Sequence, residues 1–295
     1  MRLSCMLVAL VGCGRLAFDP LSTGGDGGDG QSGDAQGACA FGPWSTPIAL
    51  PINSASDEFG ATPSPDGLEL TFHSNRIGGN HDLYVATRAT HDDDFGNVQP
   101  LTVVNSTSVD ENATFAPDGL TLFFTSDRAG GSRLYKSTRA SVGAAWSAPV
   151  MVPELASVAL SGPVLSKQGT ELYVTIGSSG VFHVERATYD GSTFTQPAII
   201  PELGTTLQRG YPGISPDGLT LAYEGQRTSY EISFVTRPTI DAPWGAESPF
   251  VEVNDASANE DVEWSYDGTE LFFTSNRMNV AGNLFDLFVV KRSCL

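Results

Sequence analysis

At 295 residues, 40% apolar and 17% charged, the chain has the composition of a folded protein with one large core or two ordinary ones. Its 16 Lys plus Arg stand against 34 Asp plus Glu, and the acidic excess is spread along the whole length. That balance argues against a nucleic-acid phosphate backbone or an anionic lipid surface as partner.

The first 13 residues, MRLSCMLVALVGC, join an early Arg to an apolar run too short to span a bilayer as a permanent helix. They resemble a bacterial lipoprotein signal, with residues 1–12 removed and Cys13 of the LVGC box lipidated. Gly14 stands where Asp would mark retention at the inner membrane, so the resemblance implies an exported, outer-membrane lipoprotein, periplasmic or surface-exposed. Residues 13–38 read as a tether. From Ser22 to Gly37, STGGDGGDGQSGDAQG holds no apolar residue larger than Ala and cannot bury enough surface to order itself.

The next stretch, CAFGPWSTPIALPIN from Cys39 to Asn53, looks like the end of a unit. The whole unit comes next, five times over. SPDGLELTF at Ser64 returns as APDGLTLFF at Ala116, SKQGTELYV at Ser166, SPDGLTLAY at Ser215 and SYDGTELFF at Ser265, spaced 52, 50, 49 and 50 residues apart. An Asp-Gly pair between apolar runs signals a hairpin turn, because Gly accepts positive φ and Asp hydrogen-bonds its own turn. A third strand follows in each copy and ends on Arg88, Arg139, Arg186, Arg237 or Arg292. A fourth is announced by an aromatic and a Pro: Phe95 with Pro100, Trp146 with Pro149, Phe194 with Pro197, and Trp244 with Pro249. Pro suits an outermost strand, where no ladder hydrogen bond is lost.

The last copy stops at Leu295 before its aromatic–Pro pair, and the missing pair is Trp44 with Pro47. The expected fold is therefore all-β: a five-bladed β-propeller of four antiparallel strands per blade, closed by an N-terminal strand that completes the last blade. The repeats fall at about 57–109, 110–160, 161–209, 210–258, and 259–295 plus 39–56. Cys39 and Cys294 both map to the connection between third and fourth strands of the composite blade. In an oxidising compartment they are expected to form a disulfide across the seam.

The segments PSPDGLELTFHSNRIGGNHDLYVATR and FAPDGLTLFFTSDRAGGSRLYKSTR resemble the TolB-type, WD-like β-propeller repeats of bacterial envelope proteins. The likeness covers residues 39–295. It implies a platform for protein contacts and no particular activity. Repeat three departs most, with Lys167-Gln168 in place of Pro-Asp and Ser178 in place of the loop Arg.

The Asp-Gly turns belong to one end of the ring, and the loops between second and third strands belong to the other. At the loop end stand Arg76, Arg128, Arg227 and Arg277, with Asp57, Glu58, Asp110, Glu111, Glu260 and Asp261 at the starts of first strands. Ring closure makes those acids one arc over repeats five, one and two. Either each loop Arg pairs with the acid of the next blade, as interblade bridges, or the arc is a face that binds a cation, a sugar or a basic peptide.

No nucleophile elbow, HExxH, Cys-x-x-Cys or phosphate loop occurs. His73, His81, His91 and His183 are scattered without metal-ligand spacing, and HDDDF from His91 to Phe95 reads as a solvated turn. No cofactor, metal site or catalytic residue is expected, beyond a divalent cation that the arc can attract. The expected function is a non-catalytic binding or scaffolding lipoprotein of the envelope, monomeric, with envelope protein or glycan partners. The alternatives are a glycosidase-like enzyme using Asp57, Asp110 and Glu260 as acid and base, and a purely structural lipoprotein.

Overall fold

The computed structural model describes residues 40–178, 181–205, 207–226, 230–278 and 284–295. The leader, Cys13, the tether, Cys39 and Arg227 lie outside the described residues. In chain order the strands are β1 (Ile48–Ala49); β2 (Glu58–Pro63), β3 (Glu69–Ser74), β4 (Asp82–Thr87) and β5 (Gly96–Pro100); then β6 (Asp110–Phe115), β7 (Thr121–Ser126), β8 (Arg133–Thr138) and β9 (Val150–Met151). There follow β10 (Ser161–Leu165), β11 (Glu171–Ser178), β12 (Val181–Thr188) and β13 (Ala198–Ile199); β14 (Arg209–Ile214), β15 (Thr220–Gln226), β16 (Tyr230–Thr236) and β17 (Ser248–Pro249); and β18 (Asn259–Trp264), β19 (Glu270–Ser275) and β20 (Asp286–Lys291). A single turn of 3-10 helix, Pro153–Leu155, is the one helical element among the described residues.

These make five antiparallel four-stranded sheets. Four run in sequence order, β2 to β5, β6 to β9, β10 to β13 and β14 to β17, as blades 1 to 4. The fifth is β18-β19-β20-β1, with Ile48 opposite Val289 and Ala49 opposite Phe288. The first strands touch round the ring in the order β2, β6, β10, β14, β18 and back to β2. The chain is thus a closed five-bladed propeller whose last blade takes its outer strand from the N-terminal segment.

The first hairpin of every blade is set by its turn. Gly67, Gly119, Gly169, Gly218 and Gly268 all take positive φ, and Asp66, Asp217 and Asp267 each accept a 2.6 Å bond from the Ser two residues earlier. Between blades the apolar faces meet in five clusters, one per interface. Phe72, Phe95 and Phe272 join blades 5 and 1, whereas Phe123, Leu172 and Phe194 join blades 2 and 3. A sheet buried on both faces against its neighbours must be apolar on both, which is why its middle strands read as continuous runs such as LTLFF.

The arginine after the third strand ties three parts together at the turn end. Arg139 donates through Nε to Gly119 O of its own turn (2.9 Å) and through Nη1 and Nη2 to Glu69 of blade 1 (2.9 and 2.6 Å), while lying 4.5 Å from the Trp146 ring centre. Arg88 does the same with Gly67 O, Phe95 and Glu270 of blade 5, and Arg237 with Gly218 O, Trp244 and Glu171 of blade 3. Each ion pair is bidentate or nearly so and largely shielded from solvent, and its aromatic partner adds a cation–π contact. Arg88 to Glu270 spans the seam.

Blade 3 departs from the expected register. Glu171 pairs with Thr188 just as Glu69 pairs with Thr87, so the equivalent of Arg88 is Tyr189, not Arg186. Tyr189 stacks on Phe194 at 4.2 Å and does the packing that arginine does elsewhere; the residue facing it across the interface, at the start of β7, is Thr121 and not Glu.

At the seam, Phe41 bridges Cys294, Gly42 N–H donates to Ser293 O (2.9 Å), and Leu295 N–H donates to Ala40 O (2.8 Å). Ala40 therefore lies beside the C-terminal segment, and non-reducing peptide mapping of protein made in an oxidising compartment is expected to recover a Cys39–Cys294 linked peptide. Replacing Arg139 by Ala leaves the largely covered Glu69 without a cation. The expected loss is about 3–5 kcal/mol in urea unfolding, with Arg139→Lys recovering part of it.

Candidate functional site

The ring axis is lined by a repeated irregularity. Each first strand carries a bulge, and the bulged residue is left-handed in every blade: Gly60 (φ 62°), Asn112 (51°), Gly162 (50°), Tyr211 (46°) and Asp261 (49°). Glycine adopts this conformation freely. Asn and Asp tolerate it, and a bulky Tyr does so only where its surroundings hold it. These five residues line an axial cavity of about 30 Å³, room for a water and not for an organic ligand. Towards the turn end, Lys167 of blade 3 reaches Glu263 of blade 5 as an ion pair, with its Nζ 4.6 Å from the Tyr266 ring centre. The Pro-Asp to Lys-Gln departure of repeat three thus supplies a strut across the axis.

The loop end is open to chemistry, and here the expected acidic arc divides into two registers. Glu58 and Asp110 occupy equivalent places and are fully buried. Arg76 Nη2 donates to Glu58 Oε1 (2.9 Å) and Ile52 O (3.1 Å), and Arg128 Nη2 binds Asp110 Oδ1 and Val104 O in the same way. In blade 5 the same place holds Asn259, which accepts from Arg277 at 2.6 Å. The loop arginines therefore pair within their own blades, and the expected bridge from loop Arg to the acid of the next blade is not what forms. The reason is reach: the Ser74, Ser126 and Ser275 hydroxyls fold each Arg back over its own aromatics. The Arg–Glu pairs between blades are at the turn end; at the loop end the contacts between repeats are His81 with Glu111 and a looser one, Arg277 with Asp255 at 3.6 Å. Asp57 is also committed, its Oδ1 accepting from Phe285 N–H (3.0 Å) across the seam.

One residue further along β6 and β18, Glu111 and Glu260 are equivalent and differ in purpose from Glu58 and Asp110. With Asp261 and Glu224 they crowd the Tyr211 hydroxyl and, after burial, push its pKa up. Burial raises the Glu260 carboxyl to about 7. Burial and the neighbouring Glu260 charge also drive Glu224 and Asp261 well above the ordinary carboxylate range. Glu224 Oε2 is buried with no hydrogen-bond partner among the described residues.

Glu111 behaves oppositely. Burial pushes it up, but the His81 hydrogen bond, Nδ1 to Oε1 at 2.6 Å, and the nearby imidazoles hold it low. The same bond raises His81. His73, across from Phe59 in β3, is desolvated down to about 4 and is neutral. Phe59 stacks on His73 (5.5 Å, 16°) and lies 5.0 Å from Phe285. His73, His81 and Glu111 each present a ligand atom within 4.8 Å of the others, a set that suits a divalent transition metal. Spacing in the sequence hid it, because the three come from β3, the loop before β4 and β6.

Raised carboxylates make a signed pH dependence. An unfolded Glu titrates near 4.3, so a native Glu260 that holds its proton to about 7 contributes stability at low pH that is lost as pH rises through 7. Glu260→Gln is expected to unfold at the same urea concentration as the parent at pH 4 and to be about 1–3 kcal/mol more stable at pH 8.

No family model and no curated protein matches the chain. Among solved structures, it is similar to a putative TolB from Agrobacterium tumefaciens (16% identity, 81% of each chain covered, TM-score 0.53). It is also similar to the catalytic domain of an α-L-arabinofuranosidase from Coprinopsis cinerea (14% identity, 85% of this chain and 96% of that one, TM-score 0.57). TolB from Acinetobacter baumannii aligns at 19% identity over 65% of this chain and 43% of its own, with a TM-score of 0.46, so this chain spans less than half its length. At these identities the likeness is one of fold, and the fold houses both TolB-type and glycoside-hydrolase propellers.

Proposed function

We propose that the chain is an exported binding module, anchored by a lipid at Cys13, whose loop end is the contact surface for an envelope protein or glycan. The observation that carries this reading is the separation of duties at that end. Glu58, Asp110, Arg76, Arg128 and Arg277 are spent on holding their own blades. Phe59, His73, His81, Glu111, Glu224 and Glu260 break the repeat and gather around the axis instead. Positions that depart from a repeat without serving its closure are where a binding surface is written. A cluster of carboxylates with a stacked Phe and His suits basic groups or sugar hydroxyls, and a divalent cation held by His73, His81 and Glu111 would serve the same surface.

A second reading is favoured by one observation: Glu260 and Asp261 hold protons while Glu111 does not. Paired carboxylates with divergent pKa values are the equipment of acid–base hydrolysis. Of the trio first considered, Asp57 and Asp110 are committed to structure, so that chemistry falls to Glu111 with Glu260.

Envelope extract passed over the lipidated protein, beside a glycan array, separates these readings. Wild type is expected to retain a partner or glycan that the Phe59→Ala/Glu111→Gln/Glu260→Gln variant loses while still folding. Equal retention by both proteins would overturn the loop-end surface. Turnover of an arrayed glycan would replace binding with hydrolysis.

A further inference from the structure

The turn end carries a mismatch in the arginine pattern. The residue that opens the second strand is Glu69, Thr121, Glu171, Thr220 and Glu270 in blades 1 to 5. The residue that closes the third strand is Arg88, Arg139, Tyr189, Arg237 and Arg292. Each closing residue faces the opening residue of the preceding blade. Three interfaces match Arg to Glu. Between blades 2 and 3 both partners are changed together, to Thr121 and Tyr189, and no charge is left over. Only between blades 4 and 5 is the pair half-replaced: Thr220 has taken the acid's place and Arg292 remains.

Arg292 keeps the rest of the arrangement. Its Nε donates to Gly268 O (2.7 Å), and its guanidinium lies 3.7 Å from the Phe41 and 4.2 Å from the Trp44 ring centre. It is half-buried; among the described residues no carboxylate lies in ion-pair contact with it, and the charge that acts on it is that of Asp217, at longer range. A cleft of about 360 Å³ opens before it, walled by Phe41, Trp44, Thr220, Phe234, Trp264 and Arg292. Two acids also border the cleft. Asp217 is engaged by Ser215 Oγ and Leu219 N–H, and Glu252 is exposed. The clefts at the 3/4 and 5/1 interfaces each already contain the Glu, Glu171 or Glu270, that the arginine of that interface binds.

We propose that the cleft between blades 4 and 5 is a binding site for a small organic carboxylate with a ring or similarly flat body. The carboxylate takes the place vacant at Thr220, bidentate on Arg292, and the body lies against the aromatic walls. Arg139 and Arg237 display the same geometry with an internal carboxylate. The site is at the turn end, far from the loop-end surface, and does not depend on the reading proposed for that surface.

The test is calorimetric titration of the whole protein with benzoate, D-glucuronate and N-acetyl-L-phenylalanine, each beside its neutral amide. At least one acid is expected to bind 10-fold or more tightly than its amide, and which one binds separates a sugar acid from an aromatic or peptide carboxylate. Thr220→Glu supplies the missing acid internally, so it is expected to raise the urea midpoint and to abolish acid binding; Arg292→Lys is expected to weaken binding by 10-fold or more. Equal or absent binding of every acid and amide, or undiminished binding by a folded Thr220→Glu protein, overturns the site.

Discussion

Three of the five blade interfaces are registered by the contact between a guanidinium at the end of one blade's third strand and a carboxylate at the start of the previous blade's second strand. Apolar faces alone would let blades slide and splay, since burial is non-directional. The Arg139 and Glu69 pair fixes angle as well as distance, because two parallel hydrogen bonds define a plane and the Trp146 ring holds that plane in place. The same guanidinium bonds the turn carbonyl of its own blade, so hairpin, outer strand and neighbour are set by one side chain. Arg88 and Glu270 perform this between the first blade and the last, joining the two ends of the chain.

With registration concentrated at the turn end, the loop end is released from it. There each arginine serves only its own blade, and the second register of first-strand positions is left over. The bulge that turns Asn112, Tyr211 and Asp261 left-handed aims their neighbours at the axis, and this is where carboxylates accumulate despite the cost of burying like charges together. Retained protons on Glu260 and Asp261 relieve part of that cost. A cluster that must stay partly protonated to be tolerated is poorly explained by stability, and is better explained by what it contacts.

Most of the architecture was legible in the sequence, because turns, aromatic–Pro pairs and apolar runs recur at a period that local chemistry enforces. The composite blade was legible for the same reason, from the displaced Trp44 and Pro47. Three things were not. Arg186 aligns by eye with the other arginines, yet the longer β11–β12 hairpin shifts it three residues from Tyr189, and only the ladder register reveals this. Asp110-Glu111 and Glu260-Asp261 look alike in the sequence, but β6 begins on the first acid of its pair and β18 one residue before its pair, at Asn259, which sends Asp110 into the clamp and Glu260 to the axis. The direction of the loop arginines was misread because their serine tethers act over two residues and carry no signal that the turn motif does not also carry.

A repeat protein states its own expectation five times, so each exception can be weighed against four copies folded under the same constraints. Exceptions that come in compensating pairs, such as Thr121 with Tyr189 or Lys167 with Glu263, are repairs to the ring: one change removes a contact and the other restores packing or charge balance. Exceptions without a compensating partner cannot be repairs. Glu224, buried where three other blades place Thr, keeps a carboxylate oxygen without a hydrogen-bond partner among the described residues, and Arg292, facing Thr220, lacks the paired carboxylate that Arg88, Arg139 and Arg237 have. For the buried Glu224 oxygen this costs about 1–3 kcal/mol, a sizeable share of the few kcal/mol by which a domain is stable. A one-residue change would remove either exception, at opposite ends of one ring, and neither is needed for the contacts that close it.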